Sequence, residues 1–128
     1  VDRREASVVE TARVRNLSRG IVLGERVALA RTYLSRLVGL LNRSSLSREE
    51  GLWLEPCNSV HMWFMRFPID VIFLSREGQV VSLVPNLPIW SFTWPQTGAH
   101  VALELPVGVI AQSGTSRGDQ IVLEAACA

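Results

Sequence analysis

Cys57, His61, Met62 and Met65 bring a thiol, an imidazole and two thioethers into nine consecutive residues, Cys57-Asn58-Ser59-Val60-His61-Met62-Trp63-Phe64-Met65. Soft sulfur and nitrogen donors of this kind suit a monovalent copper ion, with Cys57, His61 and Met65 as the metal-ligating candidates. The same segment offers a second chemistry. A Cys57 thiolate beside His61 would be a nucleophile, because cysteine needs a nearby base or positive charge to lose its proton. In an extended strand His61, Trp63 and Met65 share one face and Met62 lies on the other, so only part of the set converges. The ordinary alternative is a core segment in which the methionines and rings are buried, Cys57 is a small hydrophobe and His61 is hydrogen-bonded. The spacing follows no strict metal motif, so the core reading is the expectation, with no cofactor.

Three carboxylates stand near the ends of strand-like runs: Asp70, Glu104 and Asp119. Asp70 alternates with Ile72 and Leu74, which puts it on a buried face, and a buried carboxylate left unpaired costs several kcal/mol. Arginine is its expected partner, Arg36 ahead of Arg43 and Arg66, because a planar guanidinium matches a carboxylate. Gly114-Thr115-Ser116-Arg117-Gly118-Asp119 lacks the strand-to-helix context of a phosphate loop and reads as a turn. Trp90, Phe92 and Trp94 alternate with small polar residues but have few basic neighbours, so base stacking would lack its electrostatic half. They are expected to cap the core, with an apolar cleft or a partner surface as the alternative.

The elements that must position these groups are mostly short strands. Val8 to Arg15 alternates loosely, Ile21–Leu23 and Val27–Ala30 read as strands split by Gly24-Glu25-Arg26, and Leu52–Leu54 is another. Val60–Phe67 is apolar on both faces and ends at Pro68. Ile69–Leu74 and Gln79–Val84 flank a turn at Arg76–Gly78, a predicted antiparallel hairpin. Ala99–Leu105 and Asp119–Ala125 complete the set. One helix is expected near residues 33–41, where Thr32 can cap and Leu34, Leu37, Val38 and Leu41 make one stripe. The expectation is a mainly β domain over residues 8–128, a sandwich or small barrel of seven or eight strands, with a frayed tail at 1–7.

Composition bounds the partners. Of 128 residues, 48% are apolar and 20% charged, which suits a packed core. The net charge is +1 and all thirteen basic residues are arginine, so neither a nucleic-acid field nor a lysine Schiff base is available. No apolar run reaches the ~20 residues of a membrane span. The charged start, Val1-Asp2-Arg3-Arg4-Glu5, has no apolar stretch behind it, so a cytoplasmic protein with unbridged Cys57 and Cys127 is expected.

Several blocks stand in a familiar order: Arg36-Leu37-Val38-Gly39-Leu40-Leu41, Arg43, Glu50-Gly51-Leu52, His61 to Leu74, Gly78-Gln79-Val80-Val81, Leu103-Glu104-Leu105-Pro106-Val107-Gly108 and Gly118-Asp119. Together they resemble domain-of-unknown-function family 192, small bacterial and archaeal proteins, from about Arg13 to Leu123. The resemblance implies a single mainly β domain with one short helix and brings no assigned activity. Where relatives commonly have Phe-Trp-Met after the histidine, this chain has Met62-Trp63-Phe64-Met65. The functional expectation is a non-enzymatic binding or accessory protein for a small ligand or a protein. Its candidate cleft gathers Arg36, His61, Met65, Asp70 and Glu104 under the tryptophan loop. The alternative is an enzyme or copper-type protein using Cys57, His61 and Asp70.

Overall fold

Valine-, isoleucine- and leucine-rich runs separated by glycine turns pair into one sheet in the computed structural model, which describes residues 10–32 and 43–125. The strands are β1 (Thr11–Asn16), β2 (Ile21–Ala30), β3 (Glu50–Leu54), β4 (Ile69–Leu74), β5 (Val80–Leu87), β6 (Val101–Leu105) and β7 (Ile121–Ala125). A five-residue helix, α1 (Val109–Ser113), lies between β6 and β7. The spatial order is β5-β4-β6-β3-β2-β1-β7, with β2 and β3 parallel and every other pair antiparallel. The two outermost strands approach each other at one end. Gln79 and Gln120 form a bridge, and Ile121 N–H donates to the Gly78 carbonyl at 2.8 Å. The sheet therefore curls into a half-barrel. Gly78 sits at this closure with φ 85°, and a Cβ there would stand 2.5 Å from the Ile121 carbonyl oxygen, so only glycine fits.

Both faces of the sheet are packed. The concave face gathers Val14, Val27, Ile72, Leu74, Leu103, Leu105 and Ile121, and α1 plugs it with Val109 and Ile110. The convex face carries Leu52, Leu54, Ile69, Val71, Phe73 and Ala102, covered by Val60, Met62 and Met65. Strands buried on both faces read as continuous apolar runs, which is why β4 is buried at all six positions. The predicted hairpin is present: Ile72 pairs with Leu83 and Phe73 with Ser82, through a turn closed by Gly78 N–H on the Ser75 carbonyl.

Two expectations change, those for β2 and for residues 60–67, and one element is new. The helix expected near residues 33–41, and Arg36 with it, lies outside the described residues. β2 is one strand through Gly24, but its pairing with β1 shifts register on both sides of that residue, so the expected break survives as an irregularity in the ladder; a Cβ at Gly24 would come within 2.8 Å of Val27 Cγ2. Residues 60–67 form no strand beyond a single bridge between His61 and Phe92. Instead Met65 N–H donates to the Met62 carbonyl at 3.2 Å, closing a turn that sends Met62 and Met65 inward together and leaves His61, Trp63, Phe64 and Arg66 exposed. Finally, α1 was not foreseen. Its cap comes from a residue far away in sequence.

Candidate functional site

That cap is Asp70, 1% exposed, on the concave side of β4. Its Oδ2 accepts the backbone N–H groups of Gly108 at 3.1 Å and Ile110 at 2.9 Å, and its Oδ1 accepts Asn86 N–H at 2.8 Å. A carboxylate at a helix start satisfies donors that the helix itself leaves open. The arginine pairing expected for Asp70 is corrected accordingly: among the described residues no arginine reaches it, and Arg43 pairs with Glu50 at 2.8 Å. Three fixed N–H donors do what a guanidinium would have done. Asp119 is tied down in a similar way, by Asn16 Nδ2, Arg19 Nε and Ser116 N–H, each at 3.0 Å. These bonds, with Asn16 contributing most, hold its carboxyl down at about 2.

Glu104 occupies the opposite face. The register across the sheet places it in one row with Val84, Val71, Leu52 and Ala28, all apolar. It is 6% exposed, and no hydrogen bond or ion pair reaches its carboxyl among the described residues. Desolvation pushes its pKa up to about 8, so it carries its proton at neutral pH. Asp70 and Glu104 therefore do not converge on one cleft. Met65 and Glu104 do share the convex face, whereas His61 is exposed above it. Cys57 is a half-buried thiol whose Sγ donates to the Ser59 carbonyl at 3.0 Å, and Cys127 lies outside the described residues. No cluster of three His, Cys, Asp or Glu side chains with metal-binding geometry occurs among the described residues. A groove of about 260 Å³ opens beside Leu23, Arg48 and Gln112, and none of the expected cleft residues lines it.

The feature the sequence places wrongly is the aromatic set. Trp90, Phe92 and Trp94 do not cap the core; they are exposed, Trp90 at 55% and Trp94 at 74%, and the 57–67 segment adds Trp63 and Phe64 (72%) to them. The rings form a continuous run: Phe64 to Trp90 at 5.0 Å, Trp90 to Trp63 at 6.2 Å, Trp63 to Phe92 at 6.3 Å and Phe92 to Trp94 at 5.0 Å. Exposed Ile89 lies beside them in sequence. Two segments, 58–65 and 89–96, hold this shelf through backbone bonds: Met62 N–H to Ser91 O, Trp90 N–H to Met62 O, Thr93 N–H to Val60 O and Gln96 N–H to Asn58 O, at 2.7–3.1 Å. Buried Thr93 adds its hydroxyl to Val60 N–H at 2.9 Å. Phe64 and Trp90 both adopt left-handed backbone, φ 66° and 60°, which is unfavourable for bulky side chains. The sequence signal was the stretch from Pro85 to Pro95 with its three prolines, whose first three residues end β5; the fixed turns beyond can lift rings off a core as readily as lay them on it.

Comparison with known proteins is consistent with this fold. Residues 14–123 match the DUF192 family, described as "Uncharacterized ACR". A UPF0127 protein of Thermococcus sibiricus is 36% identical over 111 residues, 83% of this chain and 71% of that one. A UPF0127 protein of Pyrococcus furiosus is 32% identical over 111 residues, 83% of this chain and 93% of that one. A crystal structure of a protein of unknown function from Novosphingobium aromaticivorans superposes with a TM-score of 0.75 at 27% identity, covering 89% of this chain and 84% of that chain. Among the described residues, no helix is long and apolar enough to cross a membrane.

Proposed function

The chain belongs to the DUF192 family, and we propose that it works as a non-enzymatic binding or accessory domain whose contact surface is the aromatic shelf. One observation carries this reading. Phe64 and Trp90 hold strained left-handed backbone, at a cost of about 1–3 kcal/mol each, yet their rings gain little burial in return. The Phe64 conformation closes the turn that buries Met62 and Met65, but a glycine or a small polar residue would serve that turn without exposing a ring, so the exposed run of five rings is what points to an occupant. Contiguous exposed apolar patches mark interaction sites on soluble domains. The convex face that bears Met65 and Glu104 is the candidate floor of the site, with His61 at its rim and Arg36 as a further proposed member. Asp70, on the concave side and saturated by backbone donors, stays outside it. This placement of Asp70 supports the binding reading over a Cys57–His61–Asp70 enzyme site.

The test uses an apolar fluorescent probe, anilinonaphthalene sulfonate, on the folded protein. Probe emission is expected to rise with native protein and to fall by most of its amplitude in a Phe64→Ala/Trp90→Ala variant of unchanged circular dichroism. Leu17→Ala, which removes an exposed side chain elsewhere, is expected to change nothing. Equal probe binding by native and doubly substituted protein would refute the shelf as the binding surface.

A further inference from the structure

Resting on that reading, we infer that the occupant of the shelf is an anionic lipid surface, which the domain contacts peripherally with Phe64, Trp63, Ile89, Trp90 and Trp94 at the boundary between headgroups and acyl chains. Charge is the first support. The chain carries twelve carboxylates in 128 residues, and none falls between residues 56 and 69 or between 78 and 103, the two stretches that build the shelf. Arg66, exposed beside Phe64 and Met65, is unpaired among the described residues. A surface with one open cation and no anion in its own segments suits a negatively charged layer, toward which each basic residue adds attraction.

The second support is hydrogen bonding. The backbone groups that join the two segments are bonded to each other, whereas the backbone N–H groups of Trp63, Phe64, Ile89, Phe92 and Trp94 have no protein acceptor among the described residues. Unmet N–H groups are costly in hydrocarbon, which sets the shelf at the headgroup level and not deeper. The indole N–H groups of Trp63, Trp90 and Trp94 likewise have no protein acceptor among the described residues. Headgroup phosphate and ester oxygens are acceptors at the depth where tryptophan settles. Ring geometry argues against a flat stacking ligand: neighbouring planes meet at 41–80°, so no common platform exists for a sugar chain or for bases. A main chain already held by these bonds would also lose little backbone freedom on insertion.

Whole protein is titrated with vesicles of phosphatidylcholine alone and of phosphatidylcholine with 30% phosphatidylglycerol, read by co-sedimentation and tryptophan emission. The expected result is binding to the anionic vesicles with a blue shift, and weaker binding to the neutral ones. Phe64→Ala/Trp90→Ala should lower the partition coefficient at least about tenfold, given the area two rings remove from water. Arg66→Gln, with the shelf intact, should lower it about fivefold, and high salt should do the same. Phe64→Gly, compatible with the left-handed backbone, serves if the double variant is unstable. Absence of vesicle binding while anilinonaphthalene sulfonate still binds through the shelf would overturn the lipid assignment and leave the binding surface standing. Vesicle binding indifferent to all shelf variants would overturn it too, as would a dimer in sedimentation velocity that the double variant dissociates, because the occupant would then be a second copy.

Discussion

Replacing Glu104 by glutamine is expected to make the domain more stable in mild alkali while leaving it nearly unchanged in mild acid. The carboxyl lies at the centre of an apolar row on the convex face, with no partner among the described residues, and its pKa rises from 4.5 to about 8 on folding. A raised acid binds its proton more tightly in the folded chain than in the unfolded one. Stability from this group is therefore fully present below pH 4.5 and is lost progressively as pH climbs to about 8. At about 1.4 kcal/mol per pH unit the loss across that window approaches 5 kcal/mol, an upper bound, since local water entry lowers it. Glutamine keeps the shape and stays neutral throughout. The variant-minus-native difference in unfolding free energy should thus grow by several kcal/mol from pH 5 to pH 8.5. That corresponds to roughly 3–5 °C in melting temperature per kcal/mol for a domain of this size. Urea unfolding followed by circular dichroism at half-unit steps between pH 4.5 and 9 provides the measurement. Parallel pH profiles for the two proteins would refute the claim that Glu104 is buried, neutral and unpartnered.

Asp70→Ala should cost about 3–5 kcal/mol by orphaning three backbone donors on Asn86, Gly108 and Ile110, and Asp70→Asn somewhat less; a loss below 1 kcal/mol in denaturant melts would contradict its role as the remote cap of α1. Asp119→Asn should weaken the fold near neutral pH, and because its carboxyl is held at about 2, the native protein should lose this contribution only as pH falls toward that value. Acid titrations of the two proteins by circular dichroism should therefore converge near pH 2, and a constant offset would count against the depressed carboxyl. Phe64→Gly should raise the melting temperature slightly, since glycine relieves left-handed strain worth about 1 kcal/mol or more and the ring it removes is mostly exposed, while lowering anilinonaphthalene sulfonate binding. Loss of both stability and binding would mean the ring is structural.

Much of the sheet was legible from periodicity. The β4–β5 hairpin follows from two apolar runs around a Glu77-Gly78 break, and Asp70's burial follows from its alternation with Ile72 and Leu74. What escaped depends on contacts distant in sequence. α1 is five residues long, too short for a helical stripe, and its cap lies 38 residues upstream of Gly108. Gly24 looks like punctuation until the packing of Val27 and Glu49 around it is known. Met62 and Met65 read as opposite faces of a strand, because nothing local reveals the turn that unites them. The site was half legible: the 57–65 segment and the tryptophan loop were both singled out. Their joining edge to edge, with rings outward, depends on backbone bonds between Met62, Trp90 and Ser91 that composition cannot express.

Fluorine NMR of protein labelled with 5-fluorotryptophan tests the binding surface most directly, because the four indoles divide into one buried, Trp53, and three on the shelf, Trp63, Trp90 and Trp94. Titration with anilinonaphthalene sulfonate should shift or broaden the three shelf resonances and leave Trp53 in place. Movement of Trp53 alone, or saturable probe binding with the shelf resonances unmoved, would place the contact elsewhere on the molecule and contradict the shelf as its binding surface.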